Sequence, residues 1–153
     1  MRLIALFMFF MAMISEANGQ LPSSPPLGPR GLGMGSISVT AKDKWSIFNN
    51  AAGLADQKEM SAMFAYRTIF DFAPFNTVSA GVVLPTNFGT AGFAVYRFGD
   101  DLFNSQMLSG MISRKIGVMG LGLRANYLQY NIEGFGRKAI FLADIGGVAQ
   151  LTP

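Results

Sequence analysis

Eight carboxylates lie beyond the first nineteen residues: Asp43, Asp56, Glu59, Asp71, Asp100, Asp101, Glu133 and Asp144. They are scattered, and neither cysteine nor histidine accompanies them. This removes disulfides, thiolate or imidazole metal sites, Cys/His nucleophilic catalysis and the Ser-His-Asp triad within this chain. Asp100-Asp101 falls in an expected outer loop, where solvated charge is the default and the ligand spacing of a calcium loop is missing. Gly31-Leu32-Gly33-Met34-Gly35 is only superficially like a dinucleotide fingerprint. No strand precedes it and the third glycine is wrongly spaced, so glycines permitting tight bends are the preferred reading. The pair with most chemical interest is Arg124 with Asp144, on two late strands, with Arg124 and Asn126 on a face expected to line a lumen. A structurally satisfied lumen charge ranks above catalysis, so no catalytic, cofactor or metal residue is assigned.

The chain has 153 residues, enough for one domain. Half is hydrophobic and 14% is charged, against roughly 25% in an ordinary soluble domain. Mean hydropathy is +0.33. Past residue 14 there is no uninterrupted apolar run of the roughly 18 residues that a helical span needs. Apolar residues are instead diluted among Gly, Ser, Thr and Asn, as in a barrel whose alternate side chains face lipid. The 18 glycines and 14 phenylalanines suit that architecture. The net charge of +3 comes from dispersed basic residues. That excludes a nucleic-acid footprint and puts the charges at rims, turns or the lumen.

Met1 and Arg2 precede the apolar Leu3 to Ile14, and residues 15–19 (SEANG) are small and polar. This is the layout of a secretory signal peptide over 1–19, with cleavage after Gly19 preferred to Ala17. The apolar core is too short for a membrane anchor, and no Cys follows it for lipid attachment. Residues 20–30 read as a Pro/Ser-rich linker. Residues 31–59 hold the glycine-rich turn and a short helix over Lys42 to Ala55. Asp43 is its N-cap, Trp45 and Phe48 share a face, and Asn49, Asn50 and Gly53 end it. That helix is a cap packed on other elements or a plug in a barrel mouth; the residues favour neither.

From Met60 the period changes to two. Six strands are expected near 60–71, 77–84, 90–98, 105–114, 118–130 and 138–149. The fifth is clearest. Met119, Leu121, Leu123, Ala125 and Tyr127 share one face; Val118, Gly120, Gly122, Arg124 and Asn126 share the other. The second and third strands are short for a crossing of about 9–11 residues. A soluble sandwich also alternates, and two further features favour the membrane. Connections at 72–76, 99–104 and 131–137 look longer than those at 86–89 and 115–117, as outside loops exceed periplasmic turns. Aromatics also gather near strand ends, as interfacial girdles require: Phe64, Tyr66, Phe70, Phe72, Phe75, Phe88, Phe93, Tyr96, Phe98, Tyr127, Tyr130 and Phe141. The expected fold is all-β: an antiparallel outer-membrane β-barrel over 60–153, with a short N-terminal helical or plug segment.

Gly31, Gly33, Met34 and Gly35, followed by Trp45 and by Asn50-Ala51-Ala52-Gly53-Leu54, resemble the N-terminal signature of the PorV/PorQ-like outer-membrane proteins. That signature is a G-x-G-M-G turn, an aromatic residue and N-P-A-G-L. Ala51 stands where the family usually has proline. Asp144-Ile145-Gly146 resembles the family's D-[IL]-G in a later strand, and 99–106 and 127–132 fall at comparable strand–loop positions. The resemblance spans most of 28–153. It implies a large Gram-negative barrel, typically fourteen-stranded, that has the lipid bilayer and other outer-membrane secretion components as partners. It implies no cofactor and no chemistry. The family is distantly related to FadL-type transporters, so a conduit for hydrophobic small molecules is the alternative, and a secreted β-sandwich adhesin the second. Six strands ending at Leu151-Thr152-Pro153 are expected to be an incomplete barrel, the front part of such a protein, since single-chain barrels have at least eight.

Overall fold

The computed structural model describes residues 27–150. The expected signal peptide, residues 20–26 of the expected linker and Leu151-Thr152-Pro153 lie outside the described residues.

Six strands form one antiparallel sheet in simple sequence order: β1 (Ser61–Ile69), β2 (Phe72–Thr86), β3 (Gly89–Gly99), β4 (Phe103–Ile116), β5 (Met119–Ile132) and β6 (Gly136–Ala149). The sheet is open, with β1 and β6 at its edges. The six expected strands are all present, but the second and third are not short. β2 has 15 residues and β3 has 11. Two prolines disguised the length of β2. Pro74 lies where the β1–β2 register shifts, and Pro85 lies beyond the first residue of β1, so neither has to donate to that ladder.

The expected alternation of long and short connections shrinks to a difference of one residue, and the first connection does not follow it. The turns hold two residues (Phe70-Asp71), two (Asn87-Phe88), three (residues 100–102), two (Gly117-Val118) and three (residues 133–135). Strand pairing absorbs the residues assigned to longer loops, because the cross-strand ladder runs to within a residue or two of each reversal. At the first turn Phe70 and Asp71 both have positive φ, 59° and 51°. Positive φ at both central residues matches hairpin twist, yet such turns favour Asn, Asp or Gly, and a bulky Phe there is strained.

The register fixes two unlike faces. The inner one carries Thr77, Ser79 and Gly81 of β2, Thr90, Gly92 and Ala94 of β3, and Ser109 and Ser113 of β4. On β5 it carries Gly122, Arg124 and Asn126. The outer face presents Phe64, Val82, Phe93, Leu108, Leu123 and Ile145, among others. Many of these apolar side chains are open, Leu123 at 55%. The aromatics divide between the faces. Phe64, Tyr66, Phe93, Tyr127 and Phe141 are outward and exposed, whereas Tyr96 is buried inside, with Phe98 and Tyr130 packed against the same core. The twelve aromatics therefore do not share one face, because parity along the strand, not residue type, sets the face.

Residues 27–59 lie on the inner face. They form α1 (Pro29–Gly33), α2 (Ser46–Asn49) and a 3-10 turn (Ala51–Leu54). Leu27, Ile47, Phe48 and Leu54 join Met63, Val83, Met107, Met111 and Leu128 in one core. The expected single helix over 42–55 is two short pieces, broken at Asn50, whose backbone is extended (φ −147°, ψ 109°). Asp43 does not cap α2. Its Oδ1 accepts from Trp45 N at 2.9 Å, closing the turn before the helix. The expected glycine-rich turn is in part a helix: Pro29 at its first position pre-sets φ, and the reversal comes only at Gly35 (φ 67°) and Ser36 (φ 69°).

Candidate functional site: the contact between the N-terminal segment and the sheet

Antiparallel pairing sets Arg124 directly opposite Asp144, and Ser109 opposite Asn126. The side chains complete a chain of bonds across three strands. Ser109 Oγ donates to Asn126 Oδ1 at 2.6 Å, and Asn126 Nδ2 donates to Asp144 Oδ2 at 2.8 Å. Arg124 meets the same carboxylate oxygen through Nε and Nη2, each at 2.8 Å. Arg124 Nη1 donates to the carbonyl of Phe48 at 2.9 Å and, more distantly, to that of Ile47 at 3.4 Å. Those carbonyls belong to the end of α2, where helix geometry leaves oxygens without an intrahelical donor. One guanidinium thus ties the N-terminal segment to the sheet. The Arg124 side chain is 12% exposed and that of Asp144 42%.

The 3-10 turn docks against glycine. A Cβ on Gly122 would stand 2.5 Å from Ala52 N, and one on Gly146 would collide with Asn50 Oδ1. No larger residue fits either position with the segment in place. Asn50 serves three elements. Its Oδ1 caps the 3-10 turn by accepting from Ala52 N (3.1 Å), while Nδ2 donates to Val39 O (2.8 Å) and, at 3.5 Å, to Gly147 O. Asn49 pairs with both backbone groups of Leu27. A second tie lies near the β4–β5 turn, where Asp56 takes Lys115 Nζ at 2.6 Å and Lys42 Nζ at 3.3 Å. The bond from Lys115, helped by Lys42, holds the Asp56 carboxyl below its ordinary value of 3.8.

Of the residues singled out in the sequence, Asn50, Asp144 and Gly146 meet here, around a recess of about 270 Å³ that Arg124 also lines. Trp45 packs its ring over Gly28 and against Phe48, with centroids 6.2 Å apart. Gly53 is pressed against Ala41 O and Ser46, and Leu54 is fully buried. Gly31 is buried beside Ser38, whereas Gly33, Met34 and Gly35 are exposed and take no part in the contact. Asn126 is 2% exposed. Asp100 is not merely a solvated charge: its Oδ1 accepts from the backbone N–H of Leu102 and Phe103 and shapes the β3–β4 turn. Ser109, Lys42, Asp56 and Lys115 carried no sequence signal, because their partners are set by strand register and by the docking of a separate segment.

These bonds and close contacts lock the segment to the sheet, and within them the Ser109 hydroxyl donates to an amide oxygen. No family model, curated protein or solved structure matches the chain.

Proposed function

We propose that this chain is an outer-membrane β-barrel protein of the PorV/PorQ type, a non-catalytic component of protein secretion exported by its signal peptide. The observation that carries the reading is the exposed apolar face of the sheet, with Phe93, Leu108, Leu123, Phe141 and Ile145; the covered face mixes Ser, Thr, Asn and Gly with core residues such as Met63, Val83, Met107, Met111 and Leu128. A soluble sheet buries the apolar face; a lipid-facing strand exposes it to hydrocarbon. Every strand but β1 has 11 or more residues, and β1 has nine, enough for a tilted crossing of about 9–11. In lipid the open edges of β1 and β6 require further strands against them.

The secretion role is preferred to a FadL-like conduit because residues 27–59 occupy the inner face and pack into its core, filling the space a passage would need among the described residues. The three connections on one end of the sheet also present apolar tips: Phe70 and Phe135 are each 89% exposed, and Leu102 is 63% exposed. Glu133 N donates to Leu102 O at 2.9 Å, so two of these turns form one surface, suited to holding a client or partner protein.

The native chain has no cysteine, so single cysteines at Leu123 and Phe93 can carry an environment-sensitive fluorophore. Brominated lipid should quench both, and a probe at Ser109 should be spared. Unquenched outer-face probes would remove the membrane reading in favour of a soluble sandwich. In the producing cell, the triple variant Phe70→Ser, Leu102→Ser, Phe135→Ser should insert normally and fail to export clients. Normal export would refute the secretion role.

A further inference from the structure

On the inner face Arg124 has Asp144 and Lys115 has Asp56, while Arg67 and Lys138 of that face have no ion-pair partner among the described residues. On the outer face Arg97 and Arg114 are exposed and have no ion-pair partner among the described residues. None could come from a neighbouring strand position, because Asp144 is the one carboxylate within the six strands and it points inward.

Each of these arginines stands at the margin of an apolar groove. The first groove, of about 380 Å³, has Val78, Val95, Leu108 and Tyr127 along it. Arg97, Gln106 and Gln129 form a single cross-strand row at its edge. The Tyr127 hydroxyl donates to Gln129 Oε1 at 3.5 Å, and the NH₂ of that amide has no acceptor among the described residues. The second groove, of about 430 Å³, is lined by Phe88, Ile112, Leu121, Leu123 and Ile145, with Arg114 at its edge. Gln106, the cross-strand neighbour of Arg97, and Arg114 sit at opposite ends of the apolar stretch of β4. Eight residues separate them on that strand, roughly 26 Å at about 3.3 Å per residue. A barrel tilt of about 35–45° reduces this to roughly 20 Å along the membrane normal. Long arginine side chains reaching away from the middle extend it toward the headgroup planes on either side.

We propose that the two grooves are binding sites for the phosphate and an acyl chain of an anionic lipid, one at each membrane interface. The guanidinium takes the phosphate through paired N–H donors, and an acyl chain lies along the groove. Arginine suits this because its planar fork matches phosphate oxygens and it keeps its charge beside hydrocarbon. The absence of outer-face carboxylates makes the surface complementary to an anionic headgroup. This inference rests on the membrane reading above.

The test is native mass spectrometry of the full chain released from detergent micelles, titrated with phosphatidylglycerol, phosphatidylcholine or inorganic phosphate. Two phosphatidylglycerol molecules should be retained. Arg97→Gln and Arg114→Gln should each weaken one of them by about tenfold, the loss of one charge-assisted contact, and the double variant should weaken both. Arg97→Lys, which keeps charge and assembly, should lie between wild type and Arg97→Gln. Equal retention of phosphatidylcholine, unchanged binding by the double variant, or inorganic phosphate binding as tightly as the lipid would each overturn the proposal. A chain that inserts and is quenched by brominated lipid but retains no phosphatidylglycerol overturns this inference alone. A chain that enters no bilayer overturns the membrane reading and this inference with it.

Discussion

Replacing Arg124 with methionine keeps an unbranched apolar stem and removes the guanidinium. Three interactions go: the ion pair with Asp144, the 2.9 Å bond to Phe48 O and the longer one to Ile47 O. Stranding a buried charge costs about 3–5 kcal/mol, but that figure does not apply in full. The Asp144 side chain is 42% exposed and keeps the Asn126 amide at 2.8 Å. The larger loss is at the end of α2, where a charge-assisted bond worth about 1.5–3 kcal/mol disappears. We expect about 2–3 kcal/mol in all, taken from docking of the N-terminal segment and not from strand pairing. That equals roughly 30- to 150-fold in the docking equilibrium. Hydrogen exchange should show this loss of protection at the amides of residues 46–54, with β2 and β3 unchanged. Asp144→Asn, which leaves Arg124 an acceptor, should cost less than half as much. Equal loss of protection across β2 to β5, or none anywhere, would refute the view that Arg124 acts as a tie between segment and sheet.

Ala51→Pro should raise stability by about 0.4–1 kcal/mol, read as a shift in denaturation midpoint. Asn50 already has the extended backbone that a following proline demands, and Ala51 opens the 3-10 turn; a drop in midpoint would show that the site does not accept the ring. Leu123→Arg should reduce the folded, heat-modifiable fraction in bilayers, at a cost of about 2–4 kcal/mol if the position lies near the midplane. Gln129→Arg, on the same strand and face but in the polar row, should cost only about 0–1 kcal/mol, and equal effects would remove the depth assignment. The tie at Asp56 should be pH-dependent in one direction. Its folded-state pKa lies below 3.8, so its contribution is complete above that value and fades as pH falls through the folded pKa. Protease sensitivity of residues 42–58 should rise in that acidic window in the wild type, and Asp56→Asn should abolish the dependence.

The sheet was legible because period-two alternation is a local signal. On β5 the partition of Leu121, Leu123 and Tyr127 from Gly122, Arg124 and Asn126 is the one the register produces. Local reading failed where a residue's usual preference opposed its pairing. Pro74 and Pro85 read as loop, and both lie in β2, because neither must donate to the β1 ladder. Loop length was misread for the same reason, since polar residues such as Asn104 and Asn131 pair with each other across β4 and β5 instead of leaving the sheet. Asp43 looked like a helix cap because Asp often is one, yet it lies three residues before α2 begins and closes the turn that precedes it.

The docking contact was legible only as unconnected residues. Asn50, Gly146 and Asp144 stood out by resemblance, and nothing local says that they touch. Their meeting follows from parity. Gly122 and Arg124 lie on the inner face of β5, and their partners Gly146 and Asp144 lie opposite them on β6. Two glycines side by side make a floor that backbone can approach closely; two charges one step further along make an anchor. The segment above supplies the matching parts in the reverse order along its own chain. Its helix end meets Arg124, and its 3-10 turn meets the glycines. A change that shifted β6 by one residue against β5 would turn Gly146 and Asp144 to the outer face together. It would remove the floor and the anchor at once and expose a carboxylate to the face that otherwise carries none. Strand register, docking of the segment and the charge pattern of the outer face are therefore one constraint on this sequence, and a single register-shifting insertion in the β5–β6 turn should lose all three.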